Sequence, residues 1–110
     1  LNNKETYQKI KIKISKLKDY IEKNNIKKID FMKIDTEGYE FEILLGLENK
    51  IKLVDIIMFE HHYDNMIKKG YTFENINKLL IKNNFNKIYK SRMPFRKTFE
   101  YIYKREESIN

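Results

Sequence analysis

The chain has no cysteine, no tryptophan, one proline and only three glycines among its 110 residues. Without cysteine it forms neither a disulfide framework nor a thiolate metal site, and its redox compartment is left open. The glycines, Gly38, Gly46 and Gly70, are too scattered to build the G-x-G-x-x-G turn that brings a backbone against a dinucleotide. A disulfide-stabilised scaffold is therefore excluded, and so is a dinucleotide-binding fold that takes its G-x-G-x-x-G turn from this chain.

Long apolar segments are also missing. No apolar run approaches the roughly 20 residues of a membrane-spanning helix, and the first residues lack the apolar core of a signal peptide. These features predict a cytoplasmic protein without a membrane partner. A chain of this length forms one domain at most, here residues 1–110, and would bury about 65% of its unfolded surface on folding.

The net charge of +7 raises the question of a nucleic-acid partner. Arginine, which reads base edges and phosphates through its bidentate fork, occurs only at Arg92, Arg96 and Arg105. The lysines are distributed along every segment and do not form one basic stripe. The composition therefore favours a solvated basic surface over dedicated nucleic-acid binding.

Hydrophobic periodicity predicts an alternation of strands and helices. The predicted elements are a strand over 9–15, a helix over 15–24, a strand over 29–34, a helix over 37–48 that buries Phe41, Leu44 and Leu45, a strand over 54–59, a helix capped by Thr72, and strands over 85–89 and 97–104. The nearly continuous apolar run at 54–59 predicts a central parallel strand covered on both faces. We expect an α/β fold with a mostly parallel sheet that ends in an antiparallel hairpin, followed by a frayed tail at 105–110.

The most informative segment joins the strand at 29–34 to the following helix. The strand leads directly into Asp35, Thr36, Glu37 and Gly38. In open α/β sheets, ligands bind in the crevice at the carboxyl ends of the strands, so function is expected around Asp35. An ordinary helix start is the alternative, with Asp35 or Thr36 capping free amides and Glu37 complementing the helix dipole.

The residue pattern of this segment resembles the sequence signature of the FkbM-type S-adenosylmethionine-dependent methyltransferases. The matching positions are Lys33, Ile34, Asp35, Glu37, Gly38, Glu40, Leu45 and Gly46. The resemblance extends upstream to an Asp-bearing helix and downstream to an apolar strand that ends in Glu60, over roughly three quarters of the chain. It implies a Rossmann-like class I methyltransferase fold, of which this chain would be the carboxyl-terminal half. It also implies S-adenosylmethionine as cofactor, with Asp35, Glu37 and Gly38 as candidate contacts.

The same resemblance implies methyl transfer to a hydroxyl group of a small molecule or sugar. Asp35 and Glu60 end strands that we expect to be neighbours about 4.8 Å apart, so their carboxylates should converge. Together with His61 they are candidate catalytic residues, because a carboxylate or an imidazole can accept the proton of the acceptor hydroxyl. Oxygen and nitrogen ligands also suit Mg²⁺ or Mn²⁺, and by analogy with metal-dependent O-methyltransferases, Asp35, Glu60 and His61 are candidate metal ligands.

Other interpretations remain open. Glu60 could be a surface carboxylate, and His61 and His62 could be exposed loop residues that point in opposite directions, so that at most one faces a site. The chain could be a non-catalytic basic interaction module or a decayed remnant that binds nucleic acid or a partner protein. A metal-dependent nuclease fits the acidic turn less well. Because the sequence lacks a Gly-rich turn, we expect the isolated chain to be inactive and to bind S-adenosylmethionine weakly.

Overall fold

The structure is a computed structural model that describes residues 17–36, 38–63, 70–94 and 97–106. Its elements, in chain order, are α1 (Leu17–Lys23), β1 (Ile29–Ile34), α2 (Glu40–Leu45), a 3₁₀ helix (Glu48–Leu53), β2 (Val54–His62), α3 (Phe73–Lys82), β3 (Phe85–Arg92) and β4 (Thr98–Arg105). The predicted α/β class is confirmed. The strand predicted over 9–15 lies outside the described residues. None of the described helices has the length and apolar composition needed to cross a membrane.

The four described strands form one mixed sheet in the order β1-β2-β4-β3. β1 and β2 are parallel, whereas β4 pairs antiparallel with both β2 and β3. The prediction of a mostly parallel sheet is therefore wrong for the described residues, although the antiparallel hairpin of β3 and β4 is confirmed. The apolar run at 54–59 reflects the central position of β2 between two strands, and only one of those neighbours is parallel to it.

The core lies on one face of this sheet. Ile57 and Phe59 of β2 are buried there, and the Phe59 ring stacks on Tyr101 and Tyr103 of β4 at centroid distances of 5.4 and 5.8 Å. Buried residues of the helices complete the core, namely Ile21, Leu44, Leu47, Ile51, Ile76 and Leu80. The other face of β2 is only partly covered, and Phe31 of β1 is 51% exposed. The expectation that β2 is covered on both faces is thus wrong.

The helix after the acidic turn is shorter than predicted. It begins at Glu40, because Gly38 has a φ of 94°, a conformation outside the right-handed helical region. It ends at Leu45, after which the chain continues as the 3₁₀ helix. Leu44 is 1% exposed, but Leu45, which we predicted to be buried, is 49% exposed. The ring of Phe41 is partly buried against the core.

The start of α3 agrees with the sequence. Thr72 precedes the helix, and its amide donates a hydrogen bond to the Asn75 side-chain oxygen at 2.8 Å. The Asn75 amide in turn donates to the Thr72 carbonyl at 3.1 Å. These bonds satisfy amides that a helix start leaves without intrahelical partners, which fixes where α3 begins.

The carboxyl end of β4 lies at the end of the sheet that is far from the acidic turn, and Arg105 fixes it there. The guanidinium of Arg105 donates to the carbonyls of Ile51, Val54 and Asn83 at 2.7, 3.0 and 3.1 Å. It also lies over the Phe85 ring, 4.6 Å from the centroid. Arg105 belongs to the segment for which we predicted a frayed tail; residues 107–110 of that segment lie outside the described residues.

Candidate functional site

The carboxyl ends of β1 and β2 lie side by side, as the sequence predicts. Ile34 pairs with Phe59 in the parallel ladder, and the next residues along the two strands are Asp35 and Glu60. Asp35 is exposed and Glu60 is partly buried. Strand β2 continues to His62, so Glu60 lies within the strand and its side chain projects to the face opposite Phe59.

A second carboxylate lies beside Glu60, at the paired position of the neighbouring strand. Glu60 pairs with Glu100 of the antiparallel strand β4. Like charges in directly opposed cross-strand positions destabilise a sheet, so stability does not explain this pair. Together with Asp35, the two glutamates give this edge of the sheet a negative character in a chain whose net charge is +7.

The acidic turn has a backbone that requires glycine. Gly38 is buried, has its φ of 94° and donates its amide to the Thr36 carbonyl at 3.0 Å. The Thr36 hydroxyl is buried and has no hydrogen-bond partner in the described part of the chain. Neither Asp35 nor Thr36 caps α2, because Tyr39 is the residue that precedes the helix and it makes no side-chain capping bond. Glu37 lies outside the described residues.

The two histidines of β2 project to opposite faces of the sheet. His61 is 2% exposed and its Nδ1 lies 3.1 Å from Oε2 of Glu40, the first residue of α2, which is fully buried. His62 is partly buried and its Nδ1 bonds the Thr98 hydroxyl at 3.0 Å. His61 and Glu60 therefore lie on different faces, and the structure brings together Asp35 and Glu60 but not His61.

Aromatic rings surround the His61 imidazole. The Tyr63 ring meets it edge-on at 4.7 Å, and the rings of Tyr71 and Phe73 have centroids 5.9 Å away. Burial raises the pKa of Tyr71, and the neighbouring Glu40 carboxylate adds to that shift. Burial also raises the pKa of Tyr63, partly opposed by its hydroxyl's 2.5 Å hydrogen bond with the Tyr101 hydroxyl.

Within the described ranges, no three His, Asp or Glu side chains are grouped closely enough to hold a metal ion.

Three polar residues of this region were not among the predicted site residues: Glu40 as a buried group, Tyr71 and Glu100. A signal existed for Glu40, since it lies four residues before Leu44 and therefore on the buried side of α2. The pairing of Glu60 with Glu100 depends on tertiary register, which no local pattern reveals.

Comparison with known proteins gives one informative match. The family model described as the methyltransferase FkbM domain matches residues 2–89, a span that includes the acidic turn, β2 and the Glu40–His61 contact. Searches of curated proteins and of solved structures give no match. The family match agrees with the resemblance carried by the acidic turn, and the chain belongs to the FkbM methyltransferase domain family.

Proposed function

We propose that this chain forms the acceptor side of an S-adenosylmethionine-dependent O-methyltransferase site at the carboxyl ends of β1 and β2. The observation that carries the proposal is the parallel register of Ile34 with Phe59, which sets Asp35 and Glu60 side by side at that edge. The family match supports methyl transfer as the reaction class. The acceptor is a hydroxyl-bearing small molecule or sugar.

The chemistry of this edge fits part of S-adenosylmethionine. That donor carries a positive charge on its sulfonium and on its ammonium group, and the carboxylates of Asp35, Glu60 and Glu100 offer the opposite charge. The Thr36 hydroxyl, which has no hydrogen-bond partner among the described residues, offers a further hydrogen-bonding group in the acidic turn. When bound, the cofactor supplies an electrophilic methyl group. The part of this chain that would hold it is the backbone of the turn around Gly38.

The contribution of the chain's own residues is to orient the acceptor hydroxyl and to take its proton. A hydroxyl oxygen that gains a methyl group must lose a proton, and a positioned carboxylate typically accelerates such a step about 10²–10⁴-fold. Asp35 is exposed at the end of β1 and is our choice for this base. Glu60, partly buried beside it, would orient the acceptor molecule by accepting a hydrogen bond from a different hydroxyl of that molecule.

The described residues do not fit the metal alternative. His61, the third expected ligand, contacts Glu40 on the face of β2 opposite Glu60. The two remaining ligands, Asp35 and Glu60, do not make up a group that could hold a metal in the described residues. We therefore derive no catalytic step from a divalent ion.

The test uses the protein expressed from its complete reading frame. Methyl transfer from isotope-labelled S-adenosylmethionine to a panel of sugars and phenols is compared between wild type, Asp35→Ala and a control, Asp30→Ala. Asp30 lies on β1 and makes an exposed ion pair with Lys28. We expect Asp35→Ala to lower turnover at least about 100-fold, with cofactor binding by calorimetry largely intact and the control unchanged.

Unchanged turnover in Asp35→Ala would remove Asp35 from the mechanism. A wild-type protein that neither binds S-adenosylmethionine nor transfers methyl groups would refute the whole proposal. In that case the basic interaction module becomes the better explanation. Its signature is binding to single-stranded RNA or DNA that weakens steeply as salt concentration rises.

A further inference from the structure

We propose that Glu40, His61 and Tyr71 form a buried positioning cluster that fixes the acidic turn onto β2. The β1–β2 ladder sets Asp35 beside Glu60, and the cluster would fix the turn around Gly38 that follows Asp35. This inference rests on the proposed function for its consequence, but not for its structural test. Glu40 and His61 are positioning residues here, since neither lies on the face of the sheet to which Glu60 projects.

The first observation is the isolation of this polar pair in the core. Among the described residues, Glu40, His61 and Thr98 are the only buried polar or charged side chains, Tyr71 being counted with the hydrophobic core. Glu40 and His61 are 21 positions apart, and their contact joins the first residue of α2 to β2. The contact therefore joins the start of α2 to the far end of β2, which the chain connects through the rest of α2, the 3₁₀ helix and most of β2.

The second observation concerns energetics. Removing a carboxylate and an imidazole from water carries a desolvation penalty that a single contact does not always repay. Apolar residues of similar volume in place of such a pair often leave a protein equally stable or make it more stable. Stability is therefore a weak reason for this pair, whereas a hydrogen bond between fixed atoms specifies one arrangement of α2 on β2.

The third observation is that α3 joins the same cluster. Tyr71, just before α3, packs its ring against Phe41 of α2 at 5.4 Å and against His61 at 5.9 Å. Burial and the nearby Glu40 carboxylate raise the pKa of Tyr71, so its hydroxyl stays protonated and available as a donor. Oε1 of Glu40 and the Tyr71 hydroxyl are both buried and have no hydrogen-bond partner in the described ranges. The carboxylate thus faces β2 through one oxygen and has its second oxygen available to Tyr71.

The last step links the cluster to the proposed site. α2 lacks a side-chain cap at Tyr39, so the described turn has no capping bond of its own to fix it on the sheet. Asp35 lies five residues before Glu40, and Glu60 immediately precedes His61. A slip of α2 relative to β2 would consequently move the turn around Gly38, the part of the chain that we propose contacts the cofactor.

The structural test is amide hydrogen exchange in wild type, Glu40→Gln, Glu40→Met and the double variant Glu40→Met/His61→Phe. Glutamine keeps an acceptor for the His61 Nδ1–H group, whereas methionine keeps the volume only. The reporters are the amides of Gly38 and Ile43, which bond the carbonyls of Thr36 and Tyr39, and the reference is the Met93 amide in the β3–β4 hairpin. Glu42→Gln, on the exposed side of the same helix, is the matched control.

We expect the reporter amides to exchange at least tenfold faster in Glu40→Met and in the double variant, with the reference amide unchanged. Glu40→Gln and Glu42→Gln should stay within about twofold of wild type. Equal exchange in Glu40→Met and Glu40→Gln would overturn the proposal. So would acceleration of reporter and reference amides together, because that pattern reports global destabilisation. If the double variant does not fold, the comparison of the two single variants decides.

The functional arm uses calorimetric binding of S-adenosylmethionine to the protein from its complete reading frame. We expect at least a tenfold loss of affinity in the double variant while the urea midpoint of unfolding stays at or above that of wild type. Retained affinity with retained stability would contradict a positioning role. A wild type that binds no S-adenosylmethionine would refute the proposed function, while the exchange experiment still decides whether the cluster positions the turn.

Discussion

Replacing Arg105 should destabilise the chain more than any other single change at the surface of β4. The Arg105→Met variant keeps the length and most of the apolar stem but removes every donor. Three backbone carbonyls, those of Ile51, Val54 and Asn83, then lose the guanidinium that they accept from. The variant also loses the contact between the guanidinium and the Phe85 ring.

The magnitude follows from the number and type of these bonds. A hydrogen bond that involves a charged group contributes about 1.5–3 kcal/mol. Three such bonds would sum to roughly 5–9 kcal/mol if their contributions were additive and water were excluded from all of them. Arg105 is only partly buried, so water replaces much of what is lost and each bond is worth about 1 kcal/mol. We therefore expect the free energy of unfolding to fall by about 3 kcal/mol.

Urea unfolding followed by circular dichroism measures this difference. Lys104→Met is the matched control, because the neighbouring Lys104 makes an exposed ion pair with Asp55 at 3.2 Å. An exposed pair is worth about 0–1 kcal/mol. Arg105→Lys keeps the charge, but a single ammonium group cannot donate to all three carbonyls. Its loss in free energy of unfolding should therefore lie between the losses of Arg105→Met and Lys104→Met. If Arg105→Met lost no more stability than Lys104→Met, the account of Arg105 as the anchor of β4 would be wrong.

Three further predictions concern the core and the acidic turn. Leu44→Ala should lower the free energy of unfolding by about 3 kcal/mol in urea titrations, whereas Leu45→Ala, half-exposed beside it, should cost under about 1 kcal/mol; equal losses would contradict the described orientation of α2. Gly38→Ala should cost about 1–2 kcal/mol, because an L-residue is strained at a positive φ, and a neutral result would mean that the turn adopts another backbone. Burial raises the pKa of Tyr101 and Tyr103 above 10.0, so the unfolded chain ionises first. The contribution of these two hydroxyls to the free energy of unfolding should then be constant below pH 10 and fall as pH rises further. Replacing both tyrosines with Phe should make that fall less steep.

Local patterns predicted the elements of the fold well where one residue type decides the geometry. The apolar run at Ile29–Ile34 coincides with β1, and Thr72 stands at the start of α3 as its hydroxyl and position indicated. The start of α2 was misplaced, although its cause, the glycine at position 38, was visible in the sequence. A residue that adopts a positive φ interrupts a helix, and glycine is the residue that most readily does so.

The arrangement of the strands could not be read from periodicity. A repeat of two tells which residues share a face, but it does not tell which strand lies on either side. For the site, the neighbourhood of Asp35 and Glu60 followed from two consecutive strand ends joined by a helix. The contacts of Glu40 with His61 and of Glu60 with Glu100 are tertiary, so only the packing of α2 and β4 against β2 reveals them.

The position of β4 in the sheet has a consequence for the order in which the protein can be assembled during synthesis. β4 is the last of the described strands to leave the ribosome, yet it sits between β2 and β3 and forms ladders with both. Until it emerges, β1 is the one described strand with which β2 pairs, and β3 has no partner among the described strands. The nascent chain must therefore keep that edge of β2 unpaired from the synthesis of His62 until β4 emerges. Such non-local pairing favours slow folding and transient exposure to aggregation.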